Sequence, residues 1–98
     1  MSAYRIASVR VKDPASFAEY RDKVAPMIAA FGGRYLVRGG AVTEVEGKLG
    51  LQRLIVLEFA SMERLRAFYD SPDYAPLIAL RGKAAVSDVA LVEGYTAG

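Results

Sequence analysis

The chain has 98 residues, 53% of them apolar and 24% charged, and a net charge of +2. That is the make-up of one globular domain, long enough to bury a core without disulfides. Cys, His and Trp each number 0, which excludes a disulfide, a thiol nucleophile, a Cys/His zinc site and any catalytic dyad built on His. Arg outnumbers Lys by 9 to 4, but the arginines are scattered and form no run. A weak, dispersed field of this kind does not predict a nucleic-acid partner. The N-terminal Met-Ser-Ala-Tyr-Arg lacks the apolar region of a signal peptide. The central uncharged stretch, 24–33, is too short to span a bilayer. The expectation is a cytoplasmic protein with no membrane partner, no metal and no cofactor.

Residues 4–11 read as a strand, with Ala7, Val9 and Val11 on one face and Tyr4, Ile6, Ser8 and Arg10 on the other. Asp13-Pro14 is a helix start: the carboxylate caps free N–H groups and proline fits the first helical position. Phe17, Tyr20, Val24, Met27, Ile28 and Phe31 follow at the spacing of one helical face. Pro26 predicts a kink or weak end near Ala25, and Gly32-Gly33 a stop. Residues 34–38 form a second short strand, with Gly39-Gly40 marking a bulge or a close backbone approach. Residues 41–46 are expected to continue the extended chain to a turn at 47–50. Residues 52–59 make the clearest strand, apolar on both faces. Ser61 caps a helix over 62–69. Ser71-Pro72 opens a last short helix, on which Tyr74, Leu77, Ile78 and Arg81 share one stripe; Pro76 predicts an irregular start. Residues 86–95 close the fold as a strand, and Thr96-Ala97-Gly98 is expected to be loose.

The order β-α-β-β-α-β, with the second helical segment broken in two, is that of an α+β, ferredoxin-like domain: a four-stranded antiparallel sheet with helices on one face. One sheet face is then left bare, carrying residues such as Ile6, Leu36, Leu54 and Val56. Leaving such side chains wet forfeits about 1.5–3 kcal/mol each. A second copy of the chain packed sheet to sheet about a two-fold axis removes that cost. A homodimer through the sheet faces is therefore expected.

Asp13-Pro14, Tyr20, the block Phe31-Gly-Gly-Arg-Tyr-Leu-Val-Arg-Gly-Gly40, Glu46-Gly47, Arg53, Leu57-Glu58-Phe59, Ser61, the block Tyr69-Asp-Ser-Pro-Asp-Tyr74 and Arg81 together resemble the Domain of Unknown Function 1330 family over nearly the whole chain. The chain departs from the usual pattern at Lys48-Leu49, Ala60 and Phe68. The resemblance implies a dimeric α/β barrel, whose relatives include cofactor-free monooxygenases and muconolactone-isomerase-like proteins. Haem-binding relatives use a His ligand, which this chain lacks.

Arg34 and Arg38 share strand parity and are expected on the same side, where two guanidinium forks grip a carboxylate or enolate. The alternative is that they form salt bridges to Glu44, Glu46 or Glu58. Glu58, within an apolar strand, is the candidate catalytic base if burial raises its pKa; otherwise Arg53, Arg34 or Arg38 neutralises it. Tyr20, Tyr69 and Tyr74 line a cleft for a flat ligand or form the edge of the core, with Arg53 as a further binding residue. Ser71 reads as a cap, and Arg81 as a partner of the helix dipole or of an acid. No phosphate-binding glycine loop occurs.

Three functions stay open at this point. One is a cofactor-free enzyme or binder, an isomerase or monooxygenase, acting on an unknown small molecule in a Tyr/Arg-lined cleft. Another is a non-catalytic homodimeric module whose ion pairs are structural. The third, RNA binding, is disfavoured because residues 53–59 carry Leu, Ile and Val where stacking aromatics would sit.

Overall fold

The structure, a computed structural model, describes residues 1–95; the tail expected to be loose lies outside them. The elements are β1 (Ala3–Val11), α1 (Pro14–Ala30), β2 (Arg34–Gly40), β3 (Arg53–Phe59), α2 (Met62–Tyr69), α3 (Ala75–Ala84) and β4 (Ala85–Glu93). The four strands form one antiparallel sheet in the order β2-β3-β1-β4. This is the ferredoxin-like α+β fold. All helices lie on one sheet face, and the Cα trace is a slab 16 Å thick, the depth of two layers.

Alternation sets what each face of the sheet carries. Ala3, Arg5, Ala7 and Val9 of β1 are buried beneath the helices, as are Leu57 and Phe59 of β3. Tyr4, Ile6 and Ser8 face the other way, opposite Glu58, Val56 and Leu54 of β3 and Val92, Ala90 and Asp88 of β4. Among the described residues, no helix covers that second face. Leu36 and Val92 are 47% and 42% exposed.

The helices bury the faces their spacing predicts. Asp13 Oδ1 accepts from the Ser16 N–H at the start of α1, and Phe17, Tyr20, Val24 and Ile28 point inward. Helix α1 runs unbroken past Pro26 to Ala30, contrary to the expected weak end. Pro26 lies on the exposed side, so water can reach the Asp22 carbonyl that loses its partner, while Val24 and Ile28 anchor both sides of the site. Ser61 Oγ caps α2 through the Arg64 N–H. Pro76 sits in the first turn of α3, where no N–H is needed; the expected irregularity lies earlier, in the turn from 72 to 74. Phe68 fills the centre of the core, with Phe31, Phe59 and Tyr74 at ring-centroid distances of 5.9, 5.4 and 4.6 Å.

Residues 41–46 do not extend the strand as expected. The Glu44 carboxylate accepts from the N–H groups of Leu49 and Gly50 at 2.7 and 3.2 Å, so the loop closes on itself. Gly33 makes a close approach, since a Cβ there would stand 2.5 Å from Phe59 Cζ. Among the described residues, no helix is long and apolar enough to cross a membrane.

Candidate functional site

Strand β2 carries two irregularities, one between Tyr35 and Val37 and one between Arg38 and Gly40. The first decides where the arginines go. Arg34 pairs with Glu58 and Tyr35 with Leu57, yet Val37 pairs with Val56 and Arg38 with Ile55. One extra residue, Leu36, is inserted, and such a bulge switches every later side chain to the other face. The expectation that Arg34 and Arg38 point to the same side is thereby corrected. Arg34 stays on the bare face with Glu58; Arg38 turns beneath the helices, its guanidinium 4.5 Å from the Tyr35 ring centroid. Gly39 takes φ +75°, and a Cβ there would meet the Arg53 stem at 3.0 Å, so glycine serves both the second bulge and the seat of Arg53.

Arg34 and Glu58 form a salt bridge in which one carboxylate oxygen accepts from Nε at 2.7 Å and from Nη2 at 2.6 Å. For Arg34 and Glu58 the salt-bridge alternative is the arrangement found. Glu58, expected as a base, lies across the sheet from the cavity described next, because Leu57 and Phe59 take the buried parity.

Between the sheet and α1 lies a cavity of about 250 Å³. Its apolar wall is Val9, Phe17, Val24, Ile28 and Ile55, and its polar groups are Arg5, Arg21, Arg38, Arg53, Arg81, Tyr20 and Tyr35. Five guanidinium groups line it and, among the described residues, no carboxylate does. Arg5 and Arg81 are 4% and 7% exposed and form its deep end; Arg21, Arg38 and Arg53 are exposed and form its rim. Among the described residues the salt bridges are Lys23–Glu19, Arg34–Glu58 and Arg66–Asp70, so none of the five has an acidic partner. The Arg5 Nε–H is buried with no hydrogen-bond partner among the described residues.

Four buried side chains, Arg5, Tyr20, Tyr74 and Arg81, meet at this deep end. Tyr20 Oη and Tyr74 Oη are 2.7 Å apart. Tyr74 Oη also accepts from Arg81 Nη1 at 3.1 Å and from Arg5 Nη2 at 3.5 Å. Tyr74 is 0% exposed and Tyr69 packs on it at 5.5 Å. Of the three tyrosines expected in a cleft, only Tyr20 lines the cavity; Tyr74 supports it from behind and Tyr69 supports Tyr74. Burial holds the Tyr74 phenol well above its usual range, with Arg5 and Arg81 opposing only in part. Burial likewise raises Tyr35. For Arg81, burial pulls the guanidinium pKa down, but the surrounding tyrosine oxygens outweigh it and the net shift is upward.

Arg5 and Tyr35 escaped the sequence reading. Arg5 had a signal, since it shares parity with Ala7 and Val9 and so puts a charge in the middle of the core face of β1. Tyr35 had none, because only the bulge brings it to the face of Arg38. No three Asp or Glu side chains gather as a metal site among the described residues.

The fold is shared with solved structures of low sequence identity. A protein of unknown function, RPA0582 from Rhodopseudomonas palustris, superposes with a TM-score of 0.75 at 16% identity, over 98% of this chain and 84% of that one. SnoaB, a cofactor-independent oxygenase from Streptomyces nogalater, superposes with 0.63 at 13% identity, over 98% and 95%. Rv0793 from Mycobacterium tuberculosis gives 0.57 at 20% identity, over 99% and 98%. No curated protein matches the chain by sequence. Residues 2–95 match the family described as Domain of unknown function (DUF1330), and with nearly the whole chain covered, this protein belongs to that family.

Proposed function

We propose that the protein binds a small organic anion, a carboxylate with a flat apolar body, in the cavity between the sheet and α1. The observation that carries this is the charge balance of the lining: five arginines, no acid, and a buried Arg5 with an unpartnered N–H. An unpaired charge taken out of water costs several kcal/mol. A fold retains that cost where a ligand of opposite sign offsets it, and planar guanidinium forks match a carboxylate in shape. The apolar wall of Phe17, Val24, Ile28 and Ile55 suits a ring or short chain.

The same lining favours chemistry that passes through an anion. Arginines around a low-dielectric cavity stabilise an enolate or phenolate more than its neutral parent. Isomerisation next to a carbonyl and cofactor-free oxygenation both use such a species, and the likeness of fold to a cofactor-independent oxygenase is in keeping with the second. Among the described residues no Asp, Glu or Lys lines the cavity, so in this reading the ligand enters already ionised or loses its proton to solvent. The bare sheet face, with Ile6, Leu54, Val56 and Val92, is covered in this reading by a second copy of the chain.

The test is calorimetric titration with benzoate at low ionic strength, beside toluene and benzylamine as neutral and cationic controls. Saturable binding of benzoate alone is expected, and equal or absent binding of all three overturns the reading. Light scattering is expected to give twice the 10.6 kDa chain mass; a monomer at micromolar concentration overturns the dimer.

A further inference from the structure

The hydroxyl of Tyr74 has one proton to give and two lone pairs to fill. Arg81 Nη1 and, at longer range, Arg5 Nη2 donate to it at 3.1 and 3.5 Å. Guanidinium groups donate and never accept, so these contacts occupy the acceptor side of the Tyr74 oxygen. The remaining contact, 2.7 Å to Tyr20 Oη, is then the one through which Tyr74 donates its own proton. Tyr20 accepts there, which leaves its proton free to point elsewhere. Tyr20 lines the cavity and Tyr74 does not. The sequence of donors is thus Arg81 and Arg5 to Tyr74, Tyr74 to Tyr20, and Tyr20 to whatever the cavity holds.

We infer that the Tyr20 hydroxyl is the hydrogen-bond donor to an enolate- or phenolate-type oxygen of the ligand, with Tyr74, Arg5 and Arg81 as the residues that orient and polarise it. The inference rests on the anion-binding reading above and narrows its substrate class to anions with such an oxygen. Each donor in the chain is strengthened by the one behind it, because a hydroxyl that accepts a hydrogen bond becomes a better donor. Two cations at the head of the chain make the far end a strong donor. Phe17, its ring centroid 5.8 Å from that of Tyr20, is an apolar neighbour that offers the same proton no competing acceptor. A donor of this kind, fixed before the ligand arrives, favours the anion over its conjugate acid.

The test uses 4-nitrophenol, whose two protonation states differ in visible absorbance, with benzoate as the reference anion. The wild-type protein is expected to bind 4-nitrophenolate more tightly than 4-nitrophenol, and so to lower the apparent pKa of the bound probe. In Tyr20→Phe the affinity for 4-nitrophenolate is expected to fall roughly tenfold, the worth of one charge-assisted hydrogen bond, with the probe's pKa returning towards its free value. Benzoate affinity, set by the arginines, is expected to change by less than about threefold, within the worth of a weak contact. Equal losses for both anions would show a structural role and overturn the inference, as would an unchanged 4-nitrophenolate affinity. Failure of the wild type to bind either anion would instead overturn the anion-binding reading beneath it. If Tyr20→Phe does not fold, carbon-13 labelling of the tyrosine ring carbons in the wild type serves instead. The Tyr20 Cζ resonance is expected to move on adding 4-nitrophenolate, and a resonance unmoved by saturating probe overturns the inference.

Discussion

Arg34 and Arg38 stand four positions apart in one strand and live under opposite rules. Arg34 is on the bare sheet face, 71% exposed at its side chain, and holds Glu58 in a salt bridge. Arg38 is on the helix-covered face, at the rim of a cavity with four other guanidinium groups and, among the described residues, no acid. An exposed pair neutralises itself locally and contributes about 0–1 kcal/mol. The two arginines buried behind that rim, Arg5 and Arg81, have no acidic partner among the described residues, a cost that, on the anion-binding reading, a ligand from outside offsets. On the anion-binding reading, the contrast separates structural from functional charge more sharply than residue type does.

The deepest test of that contrast is Arg5→Met, which keeps the stem and removes the fork. Benzoate affinity is expected to fall by about a hundredfold, as when one partner of a buried charge pair is truncated. The ligand-free protein is expected to be more stable by about 1 kcal/mol or more, since a buried unpaired charge is replaced by an apolar group. Calorimetry and urea unfolding read the two effects; a variant that is both destabilised and unchanged in binding would merge the two faces into one structural class.

Gly33→Ala probes the covered face as packing rather than as charge. The added methyl meets the Phe59 ring at 2.5 Å, and Phe59 is fully buried. A loss of about 1–3 kcal/mol in urea unfolding is expected from overpacking. No loss would mean that the core is looser than its aromatic contacts require.

Alkaline titration sharpens the comparison further. The folded pKa of Tyr74 is raised above the usual 10.0 by burial. A raised value favours the protonated phenol in the folded state, so the stabilisation is complete below pH 10 and is lost as pH climbs towards the folded value. Wild-type melting temperature is expected to fall with pH above 10, and Tyr74→Phe to flatten that fall. Parallel curves would show that Tyr74 does not govern the covered face.

The smallest effects belong to the bare face. Arg34→Met is expected to cost under about 1 kcal/mol and to leave benzoate affinity intact. Arg38→Met is expected to leave stability unchanged and to weaken benzoate several-fold, the worth of a rim charge, with a flatter salt dependence. In a double-mutant cycle, Glu58→Gln is expected to couple to Arg34→Met by a few tenths of a kcal/mol and to Arg38→Met not at all. Coupling of Glu58 to Arg38 would contradict the bulge at Leu36.

Element order and the helix starts at Asp13 and Ser61 are local matters, set by caps, glycines and the periods of apolar residues, and they could be read along the chain. So could the family, through blocks such as Tyr69-Asp-Ser-Pro-Asp-Tyr74, and the presence of one bare apolar sheet face. The cavity could be read only in part. Tyr20, Arg38 and Arg53 line it, while Glu58, Arg34, Tyr69 and Tyr74 do not. Parity along an isolated strand says which residues share a face only while the ladder is regular, and whether it is regular depends on the partner strand. The extra residue at Leu36 exists only relative to β3, and it alone sends Arg34 to Glu58 and Arg38 to the cavity. In the same way, Tyr74 and Arg81 could be placed on one helical stripe from their spacing, but their meeting with Arg5 and Tyr20 required β1, α1 and α3 to pack. Short-range stereochemistry determined the elements; register and packing, which join residues as far apart as Arg5 and Arg81, decided the site.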